Sequence, residues 1–144
     1  MLQKIYAIRR EITLMEIYYA HAMCIYGSDD EKEEINHITI NFPESKIVDP
    51  GSYANNPQKR KDGMEYCKKL VNTCDAVVFT KLMSKITSGV GIEIHHALLQ
   101  NKSVYELKNG KILVVKTPPK YISRDETIVL YRKWRMRKIS SNKN

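Results

Sequence analysis

The stretch Asp-Ala-Val-Val-Phe-Thr at 75–80 decides the fold class, because its centre is a continuous apolar run of β-branched and aromatic residues. A run of this kind is typical of a central parallel strand that is covered on both faces. Apolar residues recur at helical spacing before it, at about 62–73, and after it, at about 88–100. This alternation of helix, strand and helix predicts an α/β fold.

A second strand is predicted at 14–20, where Leu-Met-Glu-Ile-Tyr-Tyr-Ala is rich in β-branched and aromatic residues. A helix is expected to follow from Ser28 to about residue 41. Ser28 and Glu31 have the spacing of a capping box, and acidic residues fill the first turn, where the helix dipole favours them. Pro43 marks the end of this helix.

The remaining patterns complete a β-α-β-α-β-α-β order along the chain. They are a short strand at 45–48, a polar loop at 49–61, and strands at 103–107 and 111–115, which are separated by Asn109-Gly110. This order predicts one α/β domain with a Rossmann-like or flavodoxin-like parallel sheet and helices on both faces.

The composition bounds the class of protein. A chain of 144 residues with 42% hydrophobic and 28% charged residues is one ordinary domain, neither disordered nor fibrous. It contains no run of 18 apolar residues, so we expect no membrane span and no membrane partner, and residues 1–13 lack the apolar core of a secretory signal. Cys24, Cys67 and Cys74 form no Cys-x-x-Cys pair, which favours a reduced, cytoplasmic protein.

The net charge of +8 is concentrated at one end of the chain. Residues 116–144 hold nine basic and two acidic residues, whereas residues 1–115 hold 15 basic and 14 acidic ones. The body is therefore nearly neutral, unlike a uniformly basic nucleic-acid-binding fold. The start of the first strand pattern and the change in charge together predict three parts: an N-terminal extension at 1–14, an α/β domain at 15–115 and a basic C-terminal segment at 116–144. We interpret the C-terminal segment as an appendage.

Ligands of parallel α/β sheets bind beyond the carboxyl ends of the strands, and the sequence Thr-Ser-Gly-Val-Gly-Ile-Glu lies at one such position. Gly89 and Gly91 let backbone N–H groups approach a ligand, and the helix N-terminus favours an anion. Thr87 and Ser88 add hydroxyl donors, and Glu93 is near enough to face the same crevice. The alternative is a tight turn and helix cap with a solvated glutamate.

Three motifs lie in a recognisable order: Ile-Tyr-Tyr-Ala at 17–20, Cys-Asp-Ala-Val-Val at 74–78, and Gly-Val-Gly-Ile-Glu at 89–93, followed by Ala97. Together they resemble the nucleoside 2-deoxyribosyltransferase superfamily. The Gly-Val-Gly-x-Glu form is especially similar to its branch of 2′-deoxynucleoside 5′-phosphate N-hydrolases. The resemblance covers residues 15–107.

This resemblance implies cleavage or transfer at the N-glycosidic bond of a (deoxy)nucleoside or nucleoside 5′-monophosphate. Glu93 matches the family's nucleophile, which attacks the anomeric carbon as the base departs, and Tyr18 matches the tyrosine that orients it. Ala20, His21 and Met23 match the loop that lines the sugar pocket.

Further expectations follow from the same resemblance. Thr87, Ser88 and Gly89 match the stretch that holds a 5′-phosphate, and Gly91 completes the cradle. The partners implied are a small nucleoside or nucleotide and a second copy of the chain, because subunits of the family complete one another's pockets as homodimers. The resemblance implies no cofactor.

The chain departs from the family pattern at two places. The family has an aspartate eight residues before the residue that matches Asp75, and Cys67 stands at that position, with Asp62 and Glu65 out of register. The first loop of the hydrolase branch is rich in glycine, whereas this chain has His21, which could contact a phosphate, replace the missing acid or have no role. A non-catalytic binder of nucleotides or nucleotide-derived signals is therefore an alternative.

The sequence contains two pairs of residues with a spacing known from metal centres, but its other patterns argue against a metal site. Glu34 with His37, and Glu93 with His96, have the Glu-x-x-His spacing of di-iron carboxylate bundles. Those bundles are all-helical, and the strong strand patterns of this chain argue against them. We therefore expect these residues on helix surfaces and predict no metal site.

The basic C-terminal segment supports a second alternative. Basic residues interleaved with aromatic ones can grip phosphates and stack on bases. A nucleic-acid-binding or assembly protein would use this segment, although a solvated helix or strand, or a segment that crosses to a partner subunit, has the same pattern. The candidate nucleic-acid contacts are Arg132, Lys133, Trp134, Arg135 and Arg137.

Overall fold

The computed structural model describes residues 14–142, which form a five-stranded sheet with the strand order β2-β1-β3-β4-β5. This is the order of flavodoxin-like doubly wound sheets, and the predicted α/β class is confirmed. Strands β1 to β4 run parallel, and β5 pairs antiparallel with β4. The strands are β1 (Met15–Ala20), β2 (Ser45–Val48), β3 (Ala76–Phe79), β4 (Ser103–Lys108) and β5 (Lys111–Val115).

Within residues 14–142, five α-helices accompany the sheet, together with two short 3-10 turns at Met23–Ile25 and Pro50–Tyr53. Within the described part of the chain, no helix combines the length and apolar character needed to cross a membrane. The predicted extension at 1–14 lies, apart from Leu14, outside the described residues. The helices are α1 (Asp29–Asn41), α2 (Pro57–Asp62), α3 (Met64–Thr73), α4 (Ser88–Leu99) and α5 (Arg124–Asn142).

The side chains of β1 alternate between two apolar cores, because successive residues of a strand face opposite sides of the sheet. Tyr18 packs with Ile94 in the core under α3 and α4. Tyr19, the next residue, packs with Ile38 in the core under α1. All four side chains are fully buried, and complete burial of an apolar side chain contributes about 1.5–3 kcal/mol. The two cores place helices on both faces, as predicted.

The predicted N-terminal cap of α1 is confirmed. The Ser28 hydroxyl accepts a hydrogen bond from the Glu31 amide at 3.3 Å. The Glu31 side chain does not return this bond to Ser28. Its Oε1 accepts from the Gly27 amide at 3.1 Å, which leaves Oε2 directed at a histidine in the first loop.

The sequence patterns left the pairing of the last strand open, and the structure shows that β5 folds back antiparallel on β4. Asn109 and Gly110 have φ angles of 52° and 75°, so both central residues of the hairpin are left-handed. Two-residue turns of this kind join antiparallel strands, and a parallel connection needs a crossover of a dozen or more residues.

The stretch predicted as a polar loop at 49–61 contains ordered helical structure. Asp49 caps the 3-10 turn at Pro50–Tyr53 by accepting from the Gly51 amide at 2.7 Å. Helix α2 then begins at Pro57, and the Asn56 side chain caps it. Capping side chains and a proline in the first turn therefore organise this loop.

The C-terminal segment packs on the carboxyl edge of the sheet. Tyr131 and Trp134 of α5 contact an apolar cluster that the loops after β1 and β3 contribute, with Ala22, Ile25 and Leu82. Upstream of α5, the Tyr121 ring lies against the backbone of α4. The segment is therefore part of the domain's packing, and it is not the separate appendage that its charge suggested.

The contact between Gly91 and Tyr121 gives a direct test of this packing. A Cβ atom on Gly91 would overlap the Tyr121 ring, whereas one on Gly89 meets its nearest neighbour, Met64 Cε, at 3.4 Å. We expect Gly91→Ala to destabilise the protein by about 1–3 kcal/mol in urea unfolding, because the ring has to move. Gly89→Ala, in the same helix, is the control and should be neutral or stabilising. Equal effects of both changes would contradict the packing.

Candidate functional site

A buried tyrosine–glutamate pair lies at the carboxyl edge of the sheet. Tyr18 comes from β1 and is fully buried, and Glu93 comes from the second turn of α4 and is 5% exposed. The Tyr18 hydroxyl donates a hydrogen bond to Glu93 Oε2. The structure therefore brings together the two residues that sequence reasoning named as catalytic, although they lie 75 positions apart in the chain.

Burial controls the protonation of Glu93. Loss of hydration raises the pKa of its carboxyl group from 4.5 to about 7, because the charged form is disfavoured in a dry environment. The Tyr18 hydroxyl, the Lys59 ammonium and the Cys67 thiol each oppose this rise by stabilising the carboxylate. The group is therefore poised to exchange a proton near neutral pH.

Cys67 is the third member of the buried cluster. It lies on α3, and its thiol is close enough to Tyr18 and Glu93 to affect the pKa values of both groups. Burial, followed by the negative charge of Glu93, raises the pKa of the thiol. Cys67 is thus a neutral group beside the carboxylate, at the position where the family resemblance implies an acid.

A buried lysine supplies positive charge to this site. Lys59 on α2 is 9% exposed, and its ammonium group donates to the Pro50 carbonyl at 3.0 Å. It also lies 4.9 Å from the centre of the Tyr26 ring. Burial raises the pKa of Tyr26, as does the negative charge of Glu93, so the Tyr26 side chain beside the carboxylate is uncharged.

His21 follows β1 and is buried among polar partners. Its side chain is completely inaccessible, and its ring stacks on Tyr19 with 3.6 Å between ring centres. Nδ1 lies 2.9 Å from the Tyr19 carbonyl oxygen. Nε2 lies 2.7 Å from Glu31 Oε2 and 3.5 Å from Asp49 Oδ1. Its predicted contact with a substrate stays a prediction.

The turn predicted to hold a phosphate is bonded to the C-terminal segment. The Ser88 amide donates to the Thr127 hydroxyl at 2.9 Å. The Thr87 side chain lies close enough to Tyr131 to lower the pKa of its hydroxyl group. The Ser88 amide at the N-terminus of α4 thus already has a protein partner, and Gly89, the next residue, is half-buried.

Other predicted site residues are spread between core and surface. Ala20 is fully buried in the sheet, and Met23 is 62% exposed, although its amide donates to the Tyr131 hydroxyl at 3.2 Å. Trp134 is half-buried in the apolar cluster. Nucleic-acid contact stays a prediction for the four exposed basic residues of α5, which are Arg132, Lys133, Arg135 and Arg137.

The Glu-x-x-His pairs do not converge. Helix α1 carries Glu34 and His37 and packs on one face of the sheet, whereas α4 packs on the other. Glu34 accepts from Tyr19 and Thr80. The His96 ring pairs with the Asn72 side chain at 2.7 Å.

Two cavities of about 360 Å³ each are found among the described residues, and neither is lined by Tyr18 or Glu93. The first lies between α1, the loop after β3 and Trp134. The second lies between the loop after β3 and residues 119–122. We place the candidate site at the buried pair, because the chemistry converges there, and it is closed over by the C-terminal segment.

Sequence reasoning missed four residues of this edge: Tyr26, Glu31, Lys59 and Asp49. Lys59 lies in the polar run Gln-Lys-Arg-Lys-Asp, where nothing distinguishes it from its neighbours. The spacing of Glu31 from Ser28 indicated a role in helix capping alone. Asp49 directly follows a strand, and that position was the one signal that could have found it.

Comparisons of the chain with protein-family models, with curated proteins and with solved structures found no match. What bears on function is therefore the geometry of the described residues, together with the family resemblance of their motifs.

The raised pKa of Glu93 makes stability depend on pH in a defined direction. A buried carboxyl group of this kind binds its proton more tightly in the folded state, so its contribution is complete below pH 4.5 and is lost as the pH rises to about 7. Glu93→Gln cannot ionise. We expect the free energy of unfolding of this variant, measured with urea, to rise relative to that of the wild type by up to about 3 kcal/mol between pH 4.5 and pH 8.

The control for this substitution is Glu65→Gln, at an exposed position on α3. It makes the same chemical change outside the buried cluster and should show no comparable gain. A difference between wild type and Glu93→Gln that is the same at pH 5 and pH 8 would contradict a raised pKa of Glu93.

Proposed function

We propose that the chain cleaves or transfers at the N-glycosidic bond of a (deoxy)nucleoside or nucleoside 5′-monophosphate, with Glu93 as the nucleophile. The observation that carries the proposal is the buried hydrogen bond from Tyr18 to Glu93 at the carboxyl edge of the sheet. The motifs within 15–107 that resemble the nucleoside 2-deoxyribosyltransferase superfamily imply the same two roles. The geometry and the resemblance support the proposal independently.

The chemistry needs an ionised carboxylate beside the anomeric carbon of the sugar. Glu93 attacks this carbon while the base departs, through a transition state with oxocarbenium character, and a covalent glycosyl-enzyme forms. Water or an acceptor base then attacks the same carbon and releases Glu93. Tyr18 holds the carboxylate in place and stabilises its ionised form.

The departing base takes the electron pair of the broken bond and needs a cation or a proton. Cys67 stands where the resemblance implies an acid, and burial keeps its thiol protonated by raising its pKa. Lys59 is buried close enough for its charge to lower the pKa of Glu93. In this proposal the Lys59 ammonium stabilises the charge that develops on the base.

Access to the site involves the C-terminal segment. The Ser88 amide can bind a phosphate only after it releases the Thr127 hydroxyl. The Tyr131 side chain lies close to the neighbouring Thr87. Nucleotide binding at this turn therefore competes with the packing of α5, and the two equilibria are linked. The homodimer implied by the resemblance stays a prediction.

Binding without turnover is the second candidate. The observation that favours it is Cys67, a neutral and weakly acidic group beside Glu93 in place of a carboxylic acid. A pocket of this kind can hold a nucleotide or a nucleotide-derived signal while the glycosidic bond stays intact.

Release of free base separates the two candidates. The full-length protein is incubated with a panel of deoxynucleosides, ribonucleosides and their 5′-monophosphates, and the free base is measured by chromatography. We expect release that falls by on the order of a thousandfold or more in Glu93→Gln, because the variant lacks a nucleophile. Binding of a nucleotide with no release in either protein would overturn catalysis and support the binder.

The pH dependence of the reaction provides a test of the Tyr18–Glu93 pair. The nucleophile must be ionised, so kcat/KM should rise about tenfold per pH unit below pH 7 and level off above it. Tyr18→Phe removes a bond that lowers the pKa of Glu93, so the bend should move to higher pH. Tyr105→Phe, on the other face of the sheet, is the control. A bend that Tyr18→Phe leaves unchanged would contradict the assigned role.

A further inference from the structure

We propose that His21, Glu31 and Asp49 form a binding site for one divalent transition-metal ion. The ligands are His21 Nε2, one carboxylate oxygen of Glu31 and one of Asp49. These three atoms lie within 4.8 Å of one another. The proposal rests on this cluster alone and does not depend on the proposed N-glycosidic chemistry.

The distances are close to those of a metal centre. Nε2 of His21 lies 2.7 Å from Glu31 Oε2 and 3.5 Å from Asp49 Oδ1. Ligand atoms about 2.0–2.2 Å from a common ion are separated by roughly 3 Å or somewhat more, so a small outward movement of Glu31 admits the ion.

Hydrogen bonding fixes His21 in the orientation of a metal ligand. Nδ1 faces the carbonyl oxygen of Tyr19, which can only accept, so Nδ1 carries a proton and donates it. Nε2 faces carboxylate oxygens of both Glu31 and Asp49, and either a proton on Nε2 or a metal ion can lie between these groups. A histidine that binds a metal through one nitrogen and donates from the other to a carbonyl has this arrangement.

The two carboxylates are also held in place by backbone donors. Glu31 Oε1 accepts from the Gly27 amide at 3.1 Å, and Asp49 Oδ1 accepts from the Gly51 amide at 2.7 Å. A Cβ atom on Gly51 would lie 2.9 Å from Glu31 Oε2 and 3.0 Å from Asp49 Oδ1. The absence of a side chain at Gly51 thus leaves room for both oxygens to approach His21.

The donor set indicates the class of ion. One imidazole nitrogen and two carboxylate oxygens suit Zn²⁺, Mn²⁺ or Fe²⁺, because Ca²⁺ and Mg²⁺ prefer oxygen ligands alone and Cu⁺ prefers sulfur. The side chains of Glu31 and Asp49 are 11% and 16% exposed, which gives the ion a path from solvent and a position for water.

The charges around the cluster are compatible with a divalent ion. Lys59 is the cation beside Asp49, and its ammonium group is bonded to the Pro50 carbonyl, outside the three ligands. The carboxylate side chains of Glu31 and Asp49 provide negative charge toward a divalent ion, and Glu34 adds a further acidic side chain near His21. The ion would lie in the same crevice as Glu93, with the Tyr26 ring close to both.

Metal analysis of the untagged full-length chain tests the proposal. The protein is dialysed against Zn²⁺ and then against metal-free buffer, and bound zinc is measured by elemental analysis. We expect one equivalent in the wild type and at least a tenfold weaker affinity in Asp49→Asn, which keeps the shape of the side chain and its bond to Gly51. Substitution with Co²⁺ reports the ligands through its visible spectrum, which should show no thiolate charge-transfer band.

Three further variants make the outcome decisive. His21→Gln should lose the ion, and Glu31→Gln serves the same purpose if His21→Gln does not fold. His96→Gln removes an exposed histidine elsewhere and should leave one equivalent bound. Glu93→Gln should also retain the ion, so a failure of base release and a failure of metal binding are distinguishable. Zinc binding that is absent in the wild type, or unchanged in His21→Gln and Asp49→Asn, would overturn the proposal.

Discussion

The burial of the Glu93 carboxylate is the constraint on which the rest of the carboxyl edge depends. A buried and unpaired carboxylate costs several kcal/mol, so the fold has to supply donors for it. Tyr18 donates a hydrogen bond to it from β1, and the thiol of Cys67 on α3 lies close enough to lower the pKa of Glu93. Three elements that are distant in sequence therefore meet at one group. These neighbours do not fully replace the lost hydration, so the pKa of Glu93 stays raised, at about 7. A carboxyl group with this pKa is still partly ionised at neutral pH and can act as a nucleophile.

The neighbouring groups are arranged around this buried charge. On the side of β2, Lys59 brings a positive charge toward Glu93, and His21 is held between the carboxylates of Glu31 and Asp49. On the side of α4, the Thr127 hydroxyl of the C-terminal segment accepts a hydrogen bond from the Ser88 amide at the helix N-terminus. The crevice is thus polar at its centre, and α5 packs against apolar side chains at its margin.

The sequence predicted the parts of the fold that depend on local pattern. The apolar run of β3 indicated a central strand, and Ser28 marked the start of α1 because a capping hydroxyl is a local requirement of the helix. The parallel sheet predicted from the alternation of helices and strands is present in β1 to β4, and the hairpin signal Asn109-Gly110 joins β5 antiparallel to β4. The helical structure within 49–61 was missed because the composition of this stretch is typical of loops, although Asn56 caps a helix there.

The residues of the candidate site fall into two groups, those that the sequence identified and those that only the structure revealed. The sequence by itself determined which residues could carry chemistry at the ends of the strands, and Tyr18 and Glu93 were identified from their motifs. Only the tertiary structure decided that Lys59 is buried while its basic neighbours are exposed, and that His21 is shared by two carboxylates. The physical reason is that a polar side chain can be buried only where distant parts of the chain supply its partners, and local sequence carries no record of those partners.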